Sequence, residues 1–225
     1  MALLNVDLGE LPDEDEALYA SAHLANVACG GHAGDAASMR LAAERCRRHG
    51  TRLGAHPSYP DRDGFGRRHI AIDPAALRAS VAAQCRALVE ATGERPRFVK
   101  AHGALYHAAR DDEATASALV AGAREALGDA IALLGPAAGA LRACVEREGL
   151  GYLREGFADR GTRPDGTLVP RGEPGALVTD AATAASNAVA LARSGAVDTI
   201  CVHGDTPGAV LIARAVRDAL DACTG

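Results

Sequence analysis

Short apolar segments alternate with amphipathic segments along the whole chain, and this alternation constrains the fold more than any other feature of the sequence. Seven apolar segments have the length of buried strands: residues 4–8, 24–29, 52–56, 98–102, 130–134, 152–157 and 199–203. Stretches with helical spacing separate most of them, so a helix is expected after most strands. Such units form parallel sheets whose faces are covered by helices. They favour a closed or nearly closed seven-stranded β/α barrel, with an open doubly wound sheet as the alternative.

Capping residues mark the helix boundaries. Asp73 followed by Pro74 predicts an N-cap and a first helical residue, and Gly93 predicts the end of that helix. The same kinds of signal predict three more helices: one that opens at Thr206-Pro207, one from Pro136 to Gly149 and one from Asp180 to Gly195. No internal repeat or domain linker interrupts the pattern, so a single domain over residues 1–225 is expected. Two long connections, residues 57–73 and 156–175, are interpreted as functional loops.

Composition argues against several classes of protein. The formal net charge is −5, and the basic residues form no extended cluster, so no nucleic-acid partner is expected. The apolar segments are too short to cross a membrane, and the first residues combine Asp7 and Glu10 with no basic start, so neither a membrane partner nor a signal peptide is expected. The six cysteines are scattered, which is typical of reduced, buried thiols in the cytoplasm. A catalytic role for Cys29 or Cys201 is the less favoured alternative.

Reactive side chains gather at the predicted carboxyl ends of the strands, the edge where parallel α/β folds carry their active sites. All but one of these ends have such residues: Asp7 and Glu10; Asn26, Cys29, His32 and Asp35; His56; Lys100 and His102; Glu155 and Asp159; His203 and Asp205. A single Asp or His would be an ordinary cap or structural residue. Their repetition predicts a functional site.

The sequence lacks the glycine-rich motifs that bind nucleotides and the G-x-S-x-G motif of serine hydrolases. General acid–base attack by water is therefore expected, with or without a metal ion. If a metal is bound, Asp7, His56 and His102 offer a suitable ligand set, although the metal-free alternative is favoured and metal content is left open. Lys100 is interpreted as a cation that awaits substrate, in preference to a buried ion pair with Asp7 or Glu155.

Six segments of the chain resemble the LamB/YcsF family, in the order in which that family has them. They are LNVDLGE from residue 4, NVACGGHAGD from residue 26, GAHPSYPDRDGFGRR from residue 54, VKAHGALYH from residue 99, EGFADRGTRPDGTLVPR from residue 155 and CVHGDTPGA from residue 201. Together they span nearly the whole chain and are highly specific. The chain departs from the family pattern at Gly31, Ala101 and His107, where the family tends to have Phe, Pro and Asn, and it is shorter after Gly9 and before Asp198.

The resemblance implies a seven-stranded β/α barrel related to the glycoside-hydrolase and polysaccharide-deacetylase barrels. It also implies a role as the A subunit of ATP-dependent 5-oxoprolinase, in a complex with subunits B and C. In that reaction 5-oxo-L-proline, ATP and water give L-glutamate, ADP and phosphate. ATP is then a co-substrate of the complex, and contact between ATP and this chain is left open. The alternatives are a metal-dependent deacetylase of an acylated sugar or amine, and a non-catalytic binding protein for a small acid.

Each candidate residue has an expected role in this reaction. Asp7, His56 and His102 are expected to activate water, and Lys100 to stabilise the oxyanion or phosphate. Proton shuttling or orientation is assigned to Glu155, Asp159, His203 and Asp205. Arg160 or Arg171 is expected to bind the substrate carboxylate, and the remaining substrate-binding candidates are Glu10, Asn26 and His32.

Overall fold

A closed barrel of seven parallel strands forms the centre of the structure, a computed structural model that describes residues 2–163 and 167–223. The strands pair in sequence order, and the last pairs with the first. They are β1 (Leu3–Leu8), β2 (Leu24–Ala28), β3 (Arg52–His56), β4 (Phe98–Lys100), β5 (Ala132–Pro136), β6 (Gly151–Phe157) and β7 (Thr199–His203). The barrel prediction is therefore confirmed, and the open-sheet alternative is wrong.

Two strands differ from the prediction by two residues, and three others differ by one residue at one end. β5 was expected at residues 130–134 and lies two residues later, because Ala132 pairs with Phe98 on one side and with Gly151 on the other. An unbroken apolar run carries no such register information, so neighbouring strands set the boundary. β4 ends at Lys100, and His102 is the N-cap residue of the next helix, with extended backbone.

Helices surround the barrel, and most follow a strand directly. They are α1 (Ala17–Ser21), α2 (Ala36–His49), α3 (Pro74–Thr92), α4 (Gly103–Asp111), α5 (Glu113–Leu127), α6 (Ala140–Arg147), α7 (Ala181–Ser194) and α8 (Ala209–Ala222). None of the helices in the described part of the chain is both long enough and apolar enough to span a membrane.

The predicted caps of α3 and α7 are confirmed. The Asp73 carboxylate accepts hydrogen bonds from the first-turn amides of α3, and Gly93 ends that helix with a positive φ of 70°. Asp180 and Gly195 cap α7 in the same manner.

The predicted starts of two helices are wrong. Pro136 belongs to β5, and α6 begins only at Ala140. α8 begins at Ala209 after Gly208, because Thr206 is held in the preceding turn. The Thr206 amide donates to the His203 carbonyl, and its hydroxyl donates to the Asp159 carboxylate. Pro207 lies in a turn before α8, and Pro136 ends a strand, so neither proline is a first helical residue.

The barrel interior changes from apolar to polar along its axis. At the amino ends of the strands, Leu24, Phe98 and Leu134 form a buried apolar floor. Gly54 makes room for it, since a Cβ atom there would lie 2.0 Å from Phe98 Cε2. Because alternate residues of a strand face the same side, the interior positions closer to the carboxyl ends are the polar ones. Asp7, for example, pairs in register with Asn26 and His203.

Candidate active site

A cavity of about 970 Å³ opens at the carboxyl end of the barrel, where the site was predicted. Strand ends contribute Asp7, His56, Lys100, His102 and His203 to its lining. Both long connections contribute as well, with Arg67 from the first and Arg160, Arg163 and Arg171 from the second; residues 164–166 of the second connection lie outside the described part of the chain. The size and polarity of the cavity suit a small polar ligand.

Lys100 is the centre of a buried charge cluster in the barrel. Its ammonium nitrogen lies 2.8 Å from Asp7 Oδ1, 2.9 Å from Cys201 Sγ and 3.0 Å from Glu155 Oε1. Burial alone would lower the pKa of Lys100, but the adjacent Asp7 carboxylate raises it well above its usual range, so the side chain stays charged. The ion pairs with Asp7 and Glu155, the less favoured interpretation of Lys100, are therefore present. Lys100 also reaches the cavity.

Asp7 is held by neighbours on both sides. Asn26 Nδ2 donates to Asp7 Oδ1 at 2.7 Å, and His56 Nε2 lies 3.4 Å from Asp7 Oδ2. Burial alone would raise the pKa of Asp7, but the charges of His56 and Lys100 hold it well below its usual range. Asp7 therefore faces the cavity as a carboxylate. Burial also raises the pKa of the Cys201 thiol, which does not favour a thiolate nucleophile.

Three imidazoles surround the Glu10 carboxylate, and we name Glu10, His32, His56 and His102 the histidine cluster. Glu10 Oε1 lies 2.9 Å from His32 Nε2, 3.1 Å from His102 Nδ1 and 3.7 Å from His56 Nε2. All four residues could supply ligand atoms to one metal ion. His56 and His102 line the cavity, whereas Glu10 and His32 do not.

Burial and mutual contact set the protonation of the histidine cluster. Burial lowers the pKa of His32 to about 4 and also lowers the pKa of His102. Burial alone would raise the pKa of Glu10, but its contacts with the His102 and His32 imidazoles lower it far below its usual value. For His56, burial alone would lower the pKa, and the Asp7 charge raises it instead. Glu10 is therefore a buried carboxylate among imidazoles of unequal basicity.

A fourth histidine, His203, is oriented by the buried carboxylate of Asp159. Asp159 accepts hydrogen bonds from the His203 amide at 2.9 Å, from His203 Nδ1 at 2.9 Å and from Thr206 Oγ1 at 2.6 Å. Burial alone would raise the pKa of Asp159, but His203 lowers it. Since Nδ1 donates to Asp159, His203 Nε2 is left towards the cavity and lies 3.9 Å from Asp7 Oδ2. This is the arrangement of a histidine prepared for proton transfer.

The arginines of the two long connections meet above these residues. Arg67 and Arg171 both pair with Asp205, with Arg171 Nη2 at 3.2 Å from Asp205 Oδ1. Arg160 donates instead to the carbonyls of Ala176 at 3.0 Å and Val169 at 2.7 Å. Burial lowers the pKa of Arg160, and the adjacent Arg171 lowers it further. The cavity therefore has a cationic wall, formed by arginines of the two long connections.

Sequence reasoning missed two residues that the structure places at the site. Arg67 is not among the predicted site residues, although its position in the long connection of residues 57–73 is a usable signal. Thr206 was read only as a helix start, and no sequence signal indicated its bond to Asp159. Of the substrate-binding candidates, Arg160 and Arg171 line the cavity, whereas Glu10, Asn26 and His32 do not line it but contact side chains that do.

Comparison with known proteins agrees with this geometry. The profile of the LamB/YcsF family matches residues 3–224. The chain is a member of the LamB/YcsF family. It is 47% identical to the A subunit of 5-oxoprolinase from Streptomyces avermitilis, over 97% of this chain and 95% of that protein. It is 45% identical to the protein of the same name from Streptomyces griseus, with the same coverage.

The fold of this LamB/YcsF member also matches a solved structure. The lactam utilization protein of Thermus thermophilus superposes with a TM-score of 0.89 at 33% identity, over 99% of this chain and 97% of that one. An uncharacterized protein of Agrobacterium tumefaciens gives a TM-score of 0.63 at 13% identity, which shows a shared barrel fold alone.

Proposed function

We propose that this chain is the A subunit of an ATP-dependent 5-oxoprolinase, which opens the ring of 5-oxo-L-proline to L-glutamate together with subunits B and C. The observation that carries the proposal is the cavity, which is lined by a carboxylate-oriented histidine and a cationic wall. The identity of 47% to a 5-oxoprolinase A subunit over nearly the full length of both chains supports the same activity.

The chemistry of a lactam explains why ATP is a co-substrate. A five-membered lactam is a resonance-stabilised amide, and its nitrogen is a poor leaving group. Phosphorylation of the lactam oxygen makes the ring carbon electrophilic, so that water can add to it. The carbon–nitrogen bond then breaks, and the nitrogen takes up a proton to become the amine of glutamate, which leaves the former ring carbon as an acyl phosphate. A second water molecule hydrolyses this acyl phosphate to the glutamate carboxylate and free phosphate. The protein must therefore bind anionic groups, activate water and deliver a proton.

The cavity residues divide among these tasks. The Arg160 and Arg171 guanidinium groups, which line the cavity, are assigned to binding of the substrate carboxylate, and Lys100, which also lines it, is assigned to the oxyanion or phosphate. Asp7, with His56 and His102, is assigned to water activation. His203, held by Asp159, is assigned to proton transfer to and from the substrate.

The other predicted site residues act through these groups. Asp205 positions Arg67 and Arg171, and Glu155 fixes the Lys100 ammonium. Asn26 holds the Asp7 carboxylate in place. Glu10 and His32 contact His56 and His102 and support them. On this assignment the three candidates that do not line the cavity position catalytic side chains rather than touch substrate.

The decisive experiment measures glutamate formation by the complex reconstituted from this chain and subunits B and C. We expect release of glutamate that requires ATP and all three subunits, and that is lost in an Asp7→Asn variant which still assembles. Turnover of acylated sugars or amines without ATP would instead identify a metal-dependent deacetylase. Tight binding of 5-oxoproline without turnover in the full complex would identify a binding protein.

A further inference from the structure

His56 and His102 are the two imidazoles of the histidine cluster that face the cavity. In each ring, a backbone carbonyl determines which nitrogen carries the proton. His56 Nδ1 lies 2.7 Å from the Lys100 carbonyl, and His102 Nε2 lies 3.0 Å from the Phe65 carbonyl. A carbonyl only accepts, so these nitrogens are the donors. The opposite nitrogens, His56 Nε2 and His102 Nδ1, approach each other to 3.0 Å beside Glu10 Oε1. Two lone pairs and a carboxylate oxygen thus converge on one point.

We propose that Glu10, His56 and His102 bind a divalent transition-metal ion, such as zinc, at this point. Metal–ligand bonds of about 2.0–2.1 Å in tetrahedral geometry separate ligand atoms by roughly 3.3–3.4 Å. The three separations here are 3.0, 3.1 and 3.7 Å, so the ligands already stand at the distances that an ion requires. Two imidazoles and one carboxylate are donors that suit zinc, manganese or iron.

The surroundings of the three ligands resemble the supporting contacts of a metal site. Ligand histidines characteristically donate their second N–H to a carbonyl or carboxylate, and ligand carboxylates accept hydrogen bonds in turn. His56 and His102 meet the first condition, and His32 Nε2 meets the second by donating to Glu10 Oε1 at 2.9 Å. Phe65 adopts a positive φ of 52° in the turn that directs its carbonyl at His102. A strained backbone at this place indicates that the position of the carbonyl matters.

Charge balance favours Glu10 over Asp7 as the carboxylate ligand. Asp7 Oδ1 is already neutralised by Lys100 at 2.8 Å. Glu10 is just as buried, and among the described residues no lysine or arginine pairs with it. An isolated buried carboxylate is costly, so a cation between the imidazoles would compensate it. A second group, Asp7, Cys201 and His203, is less suitable because Lys100 contacts both Asp7 and Cys201.

The test measures metal binding directly and does not depend on the proposed substrate. The full chain, in a Cys223→Ser background that removes the exposed thiol, is stripped with a chelator and titrated with zinc in a calorimeter. We expect one zinc ion per chain and a higher melting temperature with zinc. Glu10→Gln and His102→Asn should each weaken binding about a hundredfold or more. His49→Asn, at an exposed histidine on α2, is the matched control and should bind zinc normally.

Cobalt substitution distinguishes this site from its rivals. Cobalt bound by Glu10, His56 and His102 should give visible d–d bands without a thiolate-to-cobalt charge-transfer band, and a charge-transfer band would assign the ion to Cys201 instead. Circular dichroism tests whether each variant is folded. If Glu10→Gln or His102→Asn is not folded, His56→Asn is measured in its place. The inference is overturned if the parent chain binds no zinc at micromolar concentration. In that case a proton on His56, and not a metal ion, would occupy the space between His56, His102 and Glu10. It is equally overturned if folded Glu10→Gln and His102→Asn variants bind zinc as the parent does.

Discussion

Replacing Lys100 with methionine should, above all, lower the free energy of unfolding of the barrel. The lysine is 2% exposed, and its ammonium pairs with Asp7 and Glu155. Methionine fills the space of the aliphatic stem but leaves both carboxylates without their cation. Removal of one partner from a buried ion pair typically costs about 3–5 kcal/mol, a large part of the total stability of about 5–15 kcal/mol of a domain. Asp7 keeps its hydrogen bond from Asn26, so the lower end of that range is expected.

The destabilisation should depend on pH in a defined direction. In the parent, the pKa of Asp7 is lower in the folded state, so its contribution is present above its usual pKa and is lost as the pH falls through the folded value. In Lys100→Met, Asp7 loses one of the charges that hold its pKa low, so its pKa in the folded state is higher than in the parent. The penalty of the unpaired charge is then complete at neutral pH and disappears as the carboxylate protonates. The difference in stability between parent and variant should therefore narrow on acidification.

Urea unfolding at neutral and mildly acidic pH measures this difference. Lys100→Met/Glu155→Gln removes one of the unpaired charges and should recover part of the loss. Arg86→Met removes an exposed partner of Glu125 and should cost less than about 1 kcal/mol. A Lys100→Met variant within about 1 kcal/mol of the parent at neutral pH would refute the structural reasoning. It would restore the interpretation of Lys100 as a cation that only awaits substrate.

Three further predictions concern other parts of the molecule. The isolated chain, which lacks nucleotide-binding motifs, should show no low-micromolar binding of ATP by calorimetry; clear binding would contradict the assignment of the ATP step to the partner subunits. Asp159→Asn should lower glutamate release by the complex about a hundredfold with little change in KM, because it misorients His203, and unchanged turnover would argue against that role. Gly54→Ala should cost about 1–3 kcal/mol, measured by thermal melting, through overlap with Phe98, and Phe98→Leu should relieve it.

The barrel was predictable because its determinants are local. Buried parallel strands are short apolar runs, and capping residues such as Asp73 and Gly93 act within one helical turn. The failures arose where a distant partner decides the boundary. β5 takes its register from Phe98 and Gly151, and Thr206 is kept out of α8 by Asp159. Neither contact can be read from the residues that flank these positions.

The composition of the site was predictable, but its pairing was not. Strand order alone brings Asp7, His56 and His203 to one end of the barrel, so the sequence indicated which side chains meet there. It did not indicate that Arg67 and Arg171 share Asp205, because loops 57–73 and 156–175 have no period from which their paths could be derived. These paths depend on tertiary contacts that only the folded chain displays.

The position of Glu10 shows how a single turn redirects a site. Gly9 adopts a positive φ of 72°, and its amide donates to the Glu14 carboxylate at 2.8 Å. The chain therefore leaves β1 sharply, and Glu10 is brought against His56 and His102 instead of continuing the strand beyond Asp7. Asp7 and Glu10 come from the same segment but meet different partners, a lysine in one case and imidazoles in the other. Asp7 is thereby kept ionised without a metal, whereas Glu10 acquires a counter-charge only if its imidazoles hold a proton or an ion.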